Sequence, residues 1–158
     1  MIFPLDPEWF RWCDLRHGIV YGYKLGKREP SPGNLSYREC GDEILATLDK
    51  VSLCEDGFVY FCGWSITGDE NIRSGDLVLV LQVEASDERF FYVSRQLRPE
   101  VVQAFPDVAD GELSGFECFV HERYLKGTSF TVSIGYKVDA DVSMKKLKKL
   151  SYADLAGR

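Results

Sequence analysis

Residues 76–85 read DLVLVLQVEA, with apolar side chains at Leu77, Val78, Leu79, Val80, Leu81 and Val83. Ser74-Gly75 precedes the run and Ser86-Asp87 follows it, so its length is that of a strand, not of a buried helix. Its valines agree with that reading. Apolar residues on both alternating sets need cover on both faces. The segment is therefore expected to be a central strand with its second face partly closed. A helix near the N-terminus is one candidate for the cover.

Five further segments have strand length and composition: ILATLDKVSL (44–53), GFVYFCGWSI (57–66), RFFYVSRQL (89–97), GFECFVHERY (115–124) and SFTVSIGYKV (129–138). Turn signals separate them at Glu55-Asp56-Gly57, Thr67-Gly68-Asp69, Ser74-Gly75-Asp76, Ser86-Asp87-Glu88, Asp110-Gly111 and Lys126-Gly127. Short strands punctuated in this way predict an all-β fold, an antiparallel sandwich or barrel, of which the antiparallel β-sandwich is the expected form. The aromatic content of 13% suits the half-buried faces of such sheets.

The flanks read differently. Asp6-Pro7-Glu8 has a capping residue, a proline at the first helical position and an acid at the positive end of the dipole. Trp9, Trp12 and Cys13 then share one face, and Gly18 can stop the helix, which predicts a short helix over 7–17. Ile19 to Leu25 alternates as a strand would, and GKREPSPGN (26–34) breaks it. The expected organisation is an N-terminal extension over 1–40, a β-domain over 41–142 and a basic tail over 143–158. In the tail, Ser143 can cap a helix that places Met144, Leu147, Leu150 and Leu155 near one face. Docking on the domain or a frayed end is expected there ahead of contact with an anionic surface.

At 158 residues the chain is about one domain long. Its net charge of −6 is uneven: +1 over 1–40, −11 over 41–142 and +4 over 143–158. An acidic central domain is unsuited to gripping phosphate backbones, so no nucleic-acid partner is expected. No apolar run approaches about 18 residues, so no membrane span is expected. The start MIFPLDPEWFRW is unlike a secretory signal, which favours the cytoplasm. The cysteine count of five is odd, and no C-x-x-C occurs, so free thiols are expected.

The chemical inventory is thin. His17 and His121 sit in different expected elements without metal-ligand spacing, and no nucleophile elbow or phosphate loop is present. His121 shares its alternate set with Glu117 and Phe119 and reads as a solvent-side residue. Cys118 shares the other set with Phe116 and Val120 and reads as core. Asp69, Glu70, Asp107, Asp110 and Glu112 lie in loops without calcium-site spacing, so neither metal nor cofactor is expected. Trp9, Trp12, Arg16, Tyr21 and Tyr23 are the candidates for contacting a glycan or partner. Packing of the extension onto the domain is the stronger reading, because Trp9 and Trp12 have the spacing of one buried helix face.

LRPEVVQAFP (97–106) is the remaining punctuated stretch. Pro99 holds Arg98 extended, Glu100 to Ala104 can make one helical turn, and Pro106 discourages its continuation. The segment reads as a plug at one end of the sandwich, where the chain crosses between sheets. Arg98 is read as tying this corner to a carbonyl or carboxylate, not as a ligand contact.

Over about residues 47–138 the order of motifs resembles a small β-sandwich module attached to, or encoded near, bacterial glycosyltransferases of surface-polysaccharide synthesis. The motifs are Leu48-Asp49-Lys50-Val51, Gly63-Trp64, Arg98-Pro99-Glu100-Val101 with Phe105, Gly115-Phe116 and Gly127. Ser65 stands where such modules usually have alanine, and Glu100 where they have aspartate. The resemblance implies an immunoglobulin-like architecture and a non-catalytic accessory role beside a glycosyltransferase or in contact with carbohydrate. It makes Asp49, Trp64, Arg98, Pro99, Phe105, Gly115 and Phe116 a structural signature. The alternative function is a protein-interaction or assembly subunit, oligomerising through the extension or the tail. A carbohydrate-active enzyme using loop carboxylates ranks below both.

Overall fold

The computed structural model describes residues 35–84, 88–108 and 113–156. Along these residues run strands β1 (Ser36–Glu39), β2 (Ile44–Leu53), β3 (Phe58–Thr67), β4 (Asp76–Val83), β5 (Glu88–Tyr92), β6 (Ser94–Gln96), β7 (Gly115–His121), β8 (Ser129–Val138) and β9 (Asp141–Ser151). Short helices α1 (Glu70–Arg73), α2 (Pro99–Ala104) and α3 (Tyr152–Ala156) and a 3-10 turn (Glu122–Tyr124) lie between or after them. The strands form a five-stranded sheet ordered β1-β9-β8-β4-β5 and a four-stranded sheet ordered β2-β3-β7-β6. Every pairing is antiparallel except that of β1 with β9, which is parallel.

Alternation builds the core. The four-stranded sheet turns Ile44, Val59, Phe61, Phe116, Cys118 and Val120 inward, and the other sheet answers with Leu77, Leu79, Leu81, Phe91, Phe130, Val132, Ile134 and Tyr136. Closing off each large apolar side chain contributes about 1.5–3 kcal/mol. One polar pair joins the sheets inside this core: the Ser65 and Tyr136 hydroxyls are 2.9 Å apart. The Ser65 hydroxyl thus gives the buried Tyr136 phenol a hydrogen-bond partner.

Strand β4 occupies the place its sequence demands, between β8 and β5. Leu77, Leu79 and Leu81 enter the core, while Val78 and Val80 point the other way into a second apolar cluster with Phe90, Val142 and Met144. Helix α1 delivers the chain to β4. The Asp69 carboxylate caps it, accepting from the Asn71 and Ile72 amides at 2.9 and 3.2 Å. The expected helix over 7–17 and strand over 19–25 lie outside the described residues.

Three expectations are corrected. First, residues 141–151 of the tail are a strand, paired with β8 along its whole length, and only Tyr152–Ala156 is helical. The three-residue spacing of Met144, Leu147 and Leu150 looked helical. It arises from a bulge opposite Val132/Ser133, where Leu147 is the extra residue on β9. The bulge shifts the phase of the strand, so Met144 faces the second cluster while Leu147 and Leu150 pack against the main core. Pairing with β8 overrides a helical periodicity that alone is marginal in water.

Second, β1 belongs to the five-stranded sheet, so a boundary at residue 40 falls beside an integral strand. The Cys40 amide extends the pairing by donating to the Met144 carbonyl at 2.7 Å. Third, RFFYVSRQL is two strands in different sheets. The chain changes sheet at Val93, between β5 and β6, and not at residues 97–106. Helix α2 instead lies within the connection from β6 to its neighbour β7.

Beyond Met144, β9 has no strand partner on its β1 side among the described residues. The lysines Lys145, Lys146, Lys148 and Lys149 line this stretch, and the Lys145 ammonium donates to the Ile44 carbonyl of β2 at 3.1 Å.

Candidate functional site

The outer face of the four-stranded sheet follows from the same alternation. With Val59, Phe61, Phe116, Cys118 and Val120 turned inward, Tyr60, Cys62 and Trp64 of β3 and Glu117, Phe119 and His121 of β7 turn outward. All six outward residues are half-buried. Antiparallel register sets them in rows: Phe58 beside His121, Tyr60 beside Phe119, Cys62 beside Glu117, and Trp64 beside Gly115. The Phe58 and His121 rings meet edge to face at 4.8 Å, and those of Tyr60 and Phe119 lie 4.8 Å apart, tilted by 48°. At about 3.3 Å per residue, the band from Phe58 to Trp64 is about 20 Å long.

One end of the band is built by the corner that the motifs mark. Phe105, just after α2, sets its ring 5.7 Å from Trp64. The Arg98 guanidinium donates to the Asp49 carboxylate at 3.0 Å, to Glu100 at 2.5 Å and to the Gly63 carbonyl at 3.4 Å. A Cβ on Gly115 would stand 2.5 Å from Arg98 Cγ and 3.0 Å from the Gln96 carbonyl oxygen, so glycine is what lets the arginine cross the strand. On the neighbouring strand, a Cβ on Gly63 would stand 2.0 Å from the Thr47 carbonyl oxygen. The close approach of β2 there accompanies its irregularity between Leu48 and Lys50, which turns Asp49 toward Arg98. Residues far apart in sequence (Asp49, Trp64, Arg98, Pro99, Phe105 and Gly115) thus meet at one corner, while Phe116 goes into the core.

Electrostatics separate holding groups from reactive ones. Burial, then the hydrogen bond to Glu117 and the neighbouring Cys62, push the Tyr60 phenol well above its ordinary range. It therefore stays protonated and donates to Glu117 Oε2 at 2.8 Å. Full burial, with Glu117 beside it, pushes the Cys118 thiol far up, as befits a core residue and not a nucleophile. Burial and the charge of Arg123 push the His121 imidazole down. Its Nδ1 accepts the Arg123 amide at 3.1 Å and so caps the 3-10 turn. The bonds to Glu100 and Asp49, against some desolvation, raise the Arg98 guanidinium further.

Of the residues singled out in the sequence, Trp9, Trp12, Arg16, Tyr21, Tyr23 and His17 lie outside the described residues, as do Asp110 and Glu112. Asp69 is a helix cap, Glu70 pairs with Arg73 at 4.0 Å, and Asp107 is exposed. Cys40, Cys62 and Cys118 are in no disulfide. Among the described residues no three His, Cys, Asp or Glu side chains gather where they could hold a metal ion. Tyr60 and Phe119 are the members of the band that sequence reasoning passed over. Each strand's alternation placed them on an outer set, but only the register between β3 and β7 makes them neighbours.

No family model, no curated protein and no solved structure matches the chain.

Proposed function

We propose that the chain is a non-catalytic, immunoglobulin-like β-sandwich module that contacts carbohydrate, serving as an accessory part beside a cytoplasmic glycosyltransferase of bacterial surface-polysaccharide synthesis. The observation that carries the carbohydrate reading is the aromatic band of Tyr60, Phe119 and Trp64 with the Glu117 carboxylate between them. Aromatic rings offer apolar faces to the C–H side of a sugar ring, and a fixed acceptor such as Glu117 selects hydroxyl positions. The Tyr60–Glu117 bond holds that acceptor in place before any ligand arrives, which lowers the ordering cost of binding. The motif order shared with glycosyltransferase-associated modules supports the setting. The described residues contain no helix long and apolar enough to cross a membrane.

The test is binding of the full chain to a glycan array, followed by titration of the best oligosaccharide. Tyr60→Ala and Phe119→Ala are each expected to weaken binding about tenfold, on the order of 1.4 kcal/mol. No binding at millimolar sugar would remove the carbohydrate reading.

A protein-interaction or assembly role is the second reading. Leu97 and Leu113, 67% and 50% exposed, flank the β6–β7 connection beside the same corner. Light scattering of the full chain, with and without Leu97→Ser and Leu113→Ser, checks self-association. A concentration-independent monomer would leave only a different protein as partner.

A further inference from the structure

Glu117 sits half-buried in the middle of β7, with Cys62 opposite it on β3 and Ser94 opposite it on β6. Its Oε2 accepts from the Tyr60 hydroxyl at 2.8 Å. Among the described residues no lysine or arginine forms an ion pair with it. Lys50 stands next in the same row, across Cys62, but it lines the cleft between β2 and β9 with Lys148, Leu150 and Leu155. Arg98, the cation of the corner, is held between Asp49 and Glu100, so two carboxylates face one guanidinium there. At the far end the Arg123 guanidinium lies over the Tyr124 ring, 5.1 Å from its centroid.

Aromatic rings stand around this carboxylate. Phe119 follows it by two residues on the same face of β7, about 6.6 Å along the strand. Tyr60 and Trp64 flank Cys62 on the neighbouring strand. A cation is drawn to a ring face within about 6 Å of the centroid, and more strongly where water is partly excluded. An ammonium set against Glu117 therefore meets a full negative charge beside aromatic rings. A neutral hydroxyl in that place makes a weaker bond than a charged donor does, and a carboxylate or phosphate is repelled. The surrounding charge acts in the same direction: residues 41–142 carry −11, which raises the local concentration of cations.

We propose that the outer band selects an amino sugar, through its free ammonium group, over neutral and acidic sugars. This rests on the carbohydrate reading and names its ligand class. Tyr60 occupies Glu117 Oε2, which leaves Oε1 to accept from the ammonium. The apolar side of the same sugar stacks on the rings of Phe119 and Trp64. N-acetylation turns the ammonium into a neutral amide, so the acetylated sugar loses the charged contact.

The experiment is isothermal titration calorimetry of the full chain at mildly acidic pH, where sugar amines are charged. The probes are the tetrasaccharide of glucosamine and its fully N-acetylated counterpart. The free amine is expected to bind about tenfold more tightly, with a preference that shrinks as salt is raised. Glu117→Gln is expected to abolish the preference, while its amide oxygen can still accept from Tyr60. A preference that survives in this variant overturns the proposal, since the acidity of the whole domain would then account for it. Equal binding of the two sugars, or tighter binding of the acetylated one, overturns it and leaves the carbohydrate reading standing. Binding of neither removes both. A lysine-rich peptide that binds more tightly than the amino sugar also overturns it, and gives the band to a protein partner.

Discussion

His121 shows how one side chain links the outer band to pH. Its Nδ1 can accept the Arg123 amide only while that nitrogen is unprotonated, and burial with Arg123 nearby lowers its pKa from the ordinary 6.5. As pH falls through about 6.5 the unfolded chain takes up a proton that the folded imidazole still resists, so stability declines. The decline ends once pH passes below the lowered folded-state value. Urea unfolding between pH 7.5 and 4.5 is expected to show this component, and His121→Gln to remove it. An equal slope in the variant would assign the decline to other groups. The histidine's solvent-side position was legible from alternation in GFECFVHERY. Its capping role was not, because that depends on the 3-10 turn that ends β7.

Between elements, glycines decide how closely strands may run. Gly63→Ala would drive a Cβ into the Thr47 backbone of β2, where no side chain can move aside. Its expected cost exceeds ~3 kcal/mol, or the chain fails to fold. Gly41→Ala meets nothing within 4 Å and is expected to stay within about 0.5 kcal/mol of the parent. Chemical denaturation of the two variants checks the contrast; equal losses would refute it. The motif Gly63-Trp64 marked this place in the sequence. The need for glycine became physical only through the β2 irregularity opposite. The same limit explains β9: a bulge mimics helical spacing, and which partner strand induces it cannot be read locally. Strands β2, β4 and β8, bounded by clear turn signals, were legible to within two residues.

At the scale of the molecule, the five-stranded sheet is completed by its most distant parts. Arg38 donates to the Ser143 hydroxyl at 2.9 Å across 105 residues of sequence. Topologies dominated by such pairings fold slowly, since loop closure must precede the contacts that stabilise it. Stopped-flow refolding is expected on the millisecond-to-second scale. Relaxation in microseconds would show that the distant pairings are not limiting. The two-sheet class was legible because turn signals recur between apolar runs. The sheet change at Val93 was not, since RFFYVSRQL carries no glycine, proline, asparagine or aspartate where the chain passes from one sheet to the other.

The lysine-lined stretch of β9 has a consequence for how many copies of this chain can coexist. An open strand edge is a template on which an identical chain can stack into a fibril. Here a stacking strand would have to bury the charges of Lys145, Lys146, Lys148 and Lys149, one of which already occupies a carbonyl of β2. The segment that reads as a basic tail in the sequence therefore carries, along this strand, charges of the kind that discourage edge-to-edge stacking of identical chains.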